Sequence, residues 1–310
     1  MKVLVSGGAG FIGHNTAIFL KHLGYEVLVF DNLERATALA LKKLSNHGIP
    51  VLKGSILNVK AFDAAIKGVD VVVHAAAYIN VEESVKKPAL YFKNNILGTA
   101  NVAKACLDRS VELLIYISSA AVYGEPKTLP ISENYPADPI SPYGLTKLMG
   151  ERTVEFYSKK GLKAVTLRLF NVYGPGQSSA YAGVITRFIE NISKGLPPII
   201  YGDGEQTRDF IHVEDVAEAI RLAMEKNAAN ETFNIASGKP TKIKALANLA
   251  IELAGLKLKP IYAEPRVGDI KHSLADIAKA QRILGFKPKT SLEEGLKNLI
   301  QTMKRKTEET

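Results

Sequence analysis

Short runs of β-branched and other apolar residues, at 3–6, 26–30, 50–53, 69–74, 113–118 and 165–169, alternate with amphipathic stretches such as 88–108 and 144–160. Strands joined through a helix run in the same direction, because the helix carries the chain back across the sheet. The alternation therefore predicts an α/β fold: a Rossmann-like doubly wound parallel sheet, helices on both faces, ligands at the carboxyl ends of the strands. After Phe170 the texture changes, and NVYGPGQ, GLPP, YGDGEQ and GKP break the chain into shorter elements. With 310 residues, more than one core usually holds, the expected division is a first lobe over 1–170 and a smaller α/β substrate-binding lobe over 171–310. The second lobe is expected to lend a strand near 232–236 back to the first.

The turn after the first strand reads GGAGFIG, with Gly7, Gly10 and Gly13 at three-residue spacing before a helical pattern. Absent side chains let such a turn tighten, let backbone approach a pyrophosphate, and let the helix pack on the strand with its N-terminus towards the phosphates. A turn that merely packs tightly has the same glycines. What separates the two is Asp31 after the second strand, where a carboxylate accepts both ribose hydroxyls of an adenosine and repels a 2′-phosphate. The expected cofactor is NAD; Arg35 nearby keeps NADP open.

Composition bounds the rest. The formal net charge is +9, but the lysines are scattered apart from the cluster at 304–306, so the sequence predicts no nucleic-acid partner. No apolar run approaches the length of a membrane span. The single cysteine, Cys106, makes neither an intramolecular disulfide nor a zinc cluster, and the histidines lack ligand spacing, so no metal is assigned and a cytoplasmic location is expected.

Tyr143 and Lys147 stand four apart and so share a face of the helix that Pro142 opens. A lysine ammonium beside a phenol favours the phenolate, the form that acts as a general base. Tyr123 and Lys127 repeat the spacing, but Gly124 and Pro126 lie between them, so they form no regular helical pair. Ser118 and Ser119 end the fifth strand at the ligand edge, where a hydroxyl would hold the oxygen that Tyr143 deprotonates.

These residues, with HAAA at 74, NNILGT at 94, SSAAVYG at 118, YGLTK at 143, RLFNVYGPGQ at 168, YGDGEQTRDFIHVEDV at 201 and PRVGD at 265, resemble the extended short-chain dehydrogenase/reductase family. Within it, they are similar to the nucleotide-sugar 4-epimerases that act on UDP-glucose and UDP-galactose. The resemblance implies inversion at carbon 4 through a transient 4-ketosugar, with NAD retained between turnovers. It implies Ser119, Tyr143 and Lys147 as the catalytic residues. It places Gly7, Gly10, Phe11, Ile12, Gly13, Asp31, Asn32, Ser55, Ile56, His74, Ala75, Ala76, Asn95 and Ser118 on the cofactor, together with Tyr143 and Lys147. For a UDP-sugar it implies Asn171, Val184, Tyr201, Arg208, Arg266, Asp269 and Ser273 beside Ser119 and Tyr143, with the guanidinium forks of Arg208 and Arg266 on the diphosphate. A homodimer is implied as well, the helical stretches 88–108 and 144–160 pairing with those of a second copy.

Related dehydratases carry an Asp-Glu pair where this chain has Ala120 and Ala121, and a methyl group moves no proton. That fits a reaction that begins and ends with the same composition. The small Ser273 stands where some relatives have a tyrosine, which leaves room for a 2-acetamido group. Two departures bear on NAD: Ser55 in place of an acid, and Ile79 where some epimerases have a lysine. The competing readings are a net nucleotide-sugar oxidoreductase, which would change nicotinamide absorbance stoichiometrically, and a non-catalytic NAD-binding regulator, a class in which the tyrosine or lysine is often lost.

Overall fold

The computed structural model describes residues 1–178, 183–226, 228–265 and 270–308, with side chains through Met303. Twelve strands are found among them, numbered here in chain order: β1 (Lys2–Ser6), β2 (Glu26–Asp31), β3 (Val51–Lys53), β4 (Val71–His74), β5 (Leu113–Ser119), β6 (Ala164–Leu169), β7 (Asn171–Tyr173), β8 (Ile199–Tyr201), β9 (Thr207–His212), β10 (Thr232–Ile235), β11 (Pro240–Lys242) and β12 (Ile261–Ala263). Seven of these form one sheet in the order β10-β6-β5-β4-β1-β2-β3, every pair parallel. β10 runs beside β6, Thr232 opposite Thr166, so a strand from far down the chain closes the edge of the first sheet.

The sheet is covered on both sides, as parallel sheets must be. Side chains alternate along β1. Val3 and Val5 join Ala17 and Leu20 of helix Phe11–His22 and Val216 and Ile220 of helix Val213–Glu225 in one core. Leu4 faces the opposite core, with Phe62, Val102, Cys106 and Val154. The order of strands reverses between β1 and β4, and the crevice outside their carboxyl ends is where an open α/β sheet takes its ligand. The second lobe packs Ile185, Phe188 and Ile192 of helix Val184–Ser193 against Leu246 and Ala250 of helix Ile243–Ala254 and Leu296 and Ile300 of helix Leu292–Glu308. It carries two small sheets, β11-β9-β7 and β12-β8.

The stretch 88–108 is not one regular helix. Helix Pro88–Tyr91 passes into a π-helical segment, Phe92–Leu97, before α-helix resumes over Gly98–Asp108. The wider turn rotates Asn94 and Asn95 inward, where both are buried. Gly98 lets this kink sit on the neighbouring wall, since a Cβ there would lie 2.8 Å from Cγ1 of Ile56. The next long helix runs Pro142–Ser158, capped by Ser141, whose Oγ accepts the Gly144 N–H at 3.0 Å.

Candidate active site

The glycine turn is shaped by contact. Gly7 has φ +69°, and a Cβ on it would lie 2.5 Å from the Cα of Ala76 at the end of β4; one on Gly13 would lie 2.6 Å from the Cα of Gly8. Gly10 differs: a Cβ there meets only the Gly7 carbonyl oxygen, at 3.1 Å, so its missing side chain leaves space in front of the turn. No side chain caps helix Phe11–His22, whose first residues, Phe11 and Ile12, follow Gly10 directly. Asp31 Oδ2 accepts the Ala9 N–H at 3.0 Å and Oδ1 that of Leu33 at 2.8 Å, which ties the acid to the turn. Burial pushes this carboxyl above its ordinary range, and the two N–H groups oppose the shift. Asn32, Ser55, Ile56, Ala75 and Ala76 line the same cleft. An uncapped helix start, a carboxylate with lone pairs to spare and a bare glycine between them fit the pyrophosphate and adenosine of a dinucleotide.

Two expected cofactor contacts lie behind this wall. His74 is 1% exposed; its Nδ1 meets Ser6 Oγ at 2.8 Å and its Nε2 meets Thr99 Oγ1 at 3.0 Å, so both ring nitrogens are engaged. Asn95 is consumed by the main chain of Tyr78, accepting its N–H at 2.9 Å and donating to its carbonyl at 2.9 Å, and donates further to Thr146 Oγ1 at 3.0 Å. The neighbouring Asn94 reaches the cleft instead, because the π turn brings both asparagines inward. Arg35 also lines it; its guanidinium donates to Glu83 at 2.7 Å and stacks 3.9 Å over the Tyr78 ring.

At the end of β5 the two serines part company. Successive residues of a strand face opposite ways. Ser118 donates to Glu151 Oε1 at 2.5 Å, inside a buried network in which Arg168 grips Glu151 from Nε and Nη2 at 2.9 and 2.7 Å. The Ser118 hydroxyl is thereby engaged within the protein. Ser119 faces the other way: its hydroxyl lies on the side of the Tyr143 phenol, near enough to lower that group's pKa, and its Oγ accepts the Ala121 N–H at 3.2 Å. Ala120 and Ala121 form a short 3-10 turn there. Tyr123, the other tyrosine with a lysine four residues on, is buried, donating to Asn234 Oδ1 at 2.6 Å and accepting from Arg168 at 2.9 Å.

Tyr143 and Lys147 share a helix face, but their electrostatics differ from expectation. Burial pushes the phenol above its ordinary range, and the Ser119 hydroxyl pulls it back in part. Lys147 Nζ is drawn to the Ile117 carbonyl at 2.8 Å, and burial lowers its pKa to about 8, with Glu151 one turn on acting to raise it.

Across the crevice a second cleft gathers Asn171, Val184, Tyr201 and Arg208, together with Arg187 and Gln206, which had not been anticipated. Arg208 is 9% exposed and donates to the Thr207 carbonyl at 2.9 Å; Asn171 Nδ2 donates to the Asp209 carbonyl at 3.4 Å. Ser273 is buried beside them, its N–H on the Thr207 carbonyl at 3.1 Å, and is not among the residues that line the cleft. Arg266 and Asp269 lie outside the described residues.

Solved structures place these features in context. The chain is similar to a UDP-glucose 4-epimerase of Thermotoga maritima crystallised with UDP-glucose, at 39% identity and TM-score 0.94, each chain 99% covered. It is similar to a UDP-N-acetylglucosamine 4-epimerase of Methanobrevibacter ruminantium in complex with UDP-N-acetylmuramic acid, at 35% identity and TM-score 0.93, with 99% of this chain and 98% of that one covered. A UDP-glucose 4-epimerase of Thermus thermophilus in complex with NAD follows at 34% identity and TM-score 0.89, covering 98% and 99%. With residues 3–236 matching the model of the NAD dependent epimerase/dehydratase family, the chain belongs to that family.

Proposed function

We propose that the protein inverts the configuration at carbon 4 of a UDP-hexose, with NAD as a resident cofactor. The observation that carries this reading is the Ser119 hydroxyl set beside the Tyr143 phenol next to Ala120 and Ala121, a proton-carrying pair with no carboxylic acid in the adjoining turn. NAD, when bound, supplies reversible acceptance of hydride. Gly10 and the start of helix Phe11–His22 would hold its pyrophosphate and Asp31 its adenosine ribose. Asp31, in the same cleft, would repel a 2′-phosphate, which supports NAD over NADP.

Tyr143, acting as the phenolate, takes the proton of the sugar 4-hydroxyl as that carbon is oxidised and returns it as the carbon is reduced. Ser119 positions the same oxygen and relays the proton. Arg208, with Asn171, Val184 and Tyr201 around it, holds the nucleotide by its diphosphate, so that the sugar is free to present its other face. Arg266 and Asp269 belong to the same proposed set. Ser273, buried behind this cleft, is small where a bulkier side chain would press towards it, which is the basis for including the N-acetylhexosamine nucleotides in the proposed substrate range.

A homodimer and a cytoplasmic setting complete the proposal. Leu145, Met149 and Phe156 form an exposed stripe on helix Pro142–Ser158, at 40%, 42% and 54%, beside Leu90 and Leu97 at 36% and 50%, an apolar face for a second copy. Cys106, buried and free, suits a reducing compartment.

The test is incubation of NAD-loaded protein with a panel of UDP- and dTDP-hexoses, products separated by chromatography. Interconversion at carbon 4 without stoichiometric change in nicotinamide absorbance is expected. Such a change with each turnover would establish a net oxidoreductase instead, and unaltered sugars under conditions where a reference epimerase inverts them would end the proposal.

A further inference from the structure

We propose that Ser84 is a positioning residue for Tyr143: its hydroxyl pins the first turn of helix Pro142–Ser158 where the phenol meets Ser119. The inference rests on the role given to Tyr143 above.

The first turn of any helix leaves amide groups without partners inside the helix. Here they are accounted for one by one. Pro142 has no N–H. Gly144 donates to Ser141 Oγ at 3.0 Å, and Leu145 donates to the Ser141 carbonyl at 2.9 Å. The Tyr143 N–H is the one whose partner comes from outside: it donates to Ser84 Oγ at 3.1 Å, across 59 residues of chain. Ser84 is 0% exposed, and its own hydroxyl hydrogen goes to the Val81 carbonyl at 2.6 Å, so the rotor is fixed with a lone pair aimed at Tyr143.

The helix that carries Ser84, Val81–Lys86, is short but held at several points. Asn80 caps it, accepting the Glu83 N–H at 2.8 Å, and the Glu83 carboxylate accepts from Arg35 at 2.7 Å and from the Tyr91 hydroxyl at 2.9 Å. Ser84 therefore refers the position of Tyr143 to the wall of the adenosine-side cleft, which Arg35 lines. Without its oxygen the Tyr143 amide is buried with no acceptor, and the turn shifts to find one. The phenol moves with it, away from Ser119. Lys147 on the same helix donates to the Ile117 carbonyl and Tyr116 on β5 to the Lys147 carbonyl.

Ser84→Ala removes the acceptor, and Ser84→Cys keeps the volume with a poorer one. For both, kcat should fall on the order of 10- to 100-fold while KM for the UDP-sugar and NAD binding stay close to those of the parent and the thermal melt falls only by the few degrees that an unpaired buried amide costs. The neighbouring Ser119 hydroxyl holds the phenol's proton affinity down, so moving the phenol away from it should shift the midpoint of the kcat–pH profile upward. The same shift should appear without any sugar, in tyrosinate ultraviolet difference spectra taken against each protein's Tyr143→Phe counterpart. An unmoved phenol titration in variants that fold and bind NAD overturns the proposal, as does a kcat loss that merely follows the unfolded fraction. If the parent protein inverts no sugar, the function proposed above falls, and the phenol titration still decides the role of Ser84.

Discussion

Acidification tests the placement of His74 behind the cleft. The Thr99 hydroxyl spends its hydrogen on the Asn95 carbonyl at 2.6 Å, so it can only accept from His74 Nε2, and Nδ1 must in turn accept from the Ser6 hydroxyl. The ring is thus held as the neutral tautomer with its proton on Nε2. Burial, with Lys147 adding to it, lowers its pKa from 6.5 to about 3. As pH falls below 6.5 the unfolded chain takes up this proton and the folded chain does not until about 3, so stability is lost progressively through that window. The loss is about 1.4 kcal/mol per pH unit, hence about 2 kcal/mol by pH ~5 and on the order of 5 kcal/mol across the window. His74→Gln retains an amide donor near the Nε2 position but cannot titrate. Urea denaturation of both proteins between neutral pH and pH ~5 should show a parent whose stability falls by about 2 kcal/mol more than that of the variant. Parallel losses would refute the neutral, structurally engaged ring. An NAD affinity that collapses in His74→Gln at neutral pH, far beyond its change in stability, would return the residue to the cofactor.

Three further outcomes follow from the site. Tyr143→Phe should lose turnover by about 10²- to 10⁴-fold while binding NAD as the parent does, measured by single-turnover assay and cofactor titration. Asp31→Asn should weaken NAD by on the order of tenfold or more, since a hydrogen bond to a charged group contributes about 1.5–3 kcal/mol, and should narrow the preference over NADP in calorimetric titrations. Ser273→Tyr should slow turnover of the acetamido sugars selectively; equal losses for UDP-glucose and UDP-N-acetylglucosamine would remove the steric argument.

Much of the sheet could be read from the chain because strands buried on both faces are dense in Val, Ile and Leu, as at Val71, Val72 and Val73. The Tyr123 decoy was separable for a local reason, the glycine and proline between it and Lys127. What escaped depended on information not carried locally. Ser118 and Ser119 differ by one residue and so by a whole face of the sheet, and nothing nearby in sequence says which face holds the ligand. That Asn94 as well as Asn95 turns inward depends on the π turn, which adds its residue inside an unbroken helical pattern. Arg35 is spoken for by Glu83, 48 residues away, and Arg187 looks like any exposed arginine until Arg208 is seen beside it. The phenol's proton affinity turned on burial and on where Lys147 points, and spacing on a helix specifies neither.

The placing of β10 against β6 bears on how this protein comes off the ribosome. A nascent chain that has emerged only through β6 exposes that strand's outer hydrogen-bonding edge, and roughly sixty more residues must be delivered before Thr232–Ile235 arrive to cover it. Until then the half that grips the cofactor has a sticky flank. A gene split after the first six strands should accordingly yield an insoluble fragment, whereas a truncation just beyond β10 retains a finished sheet.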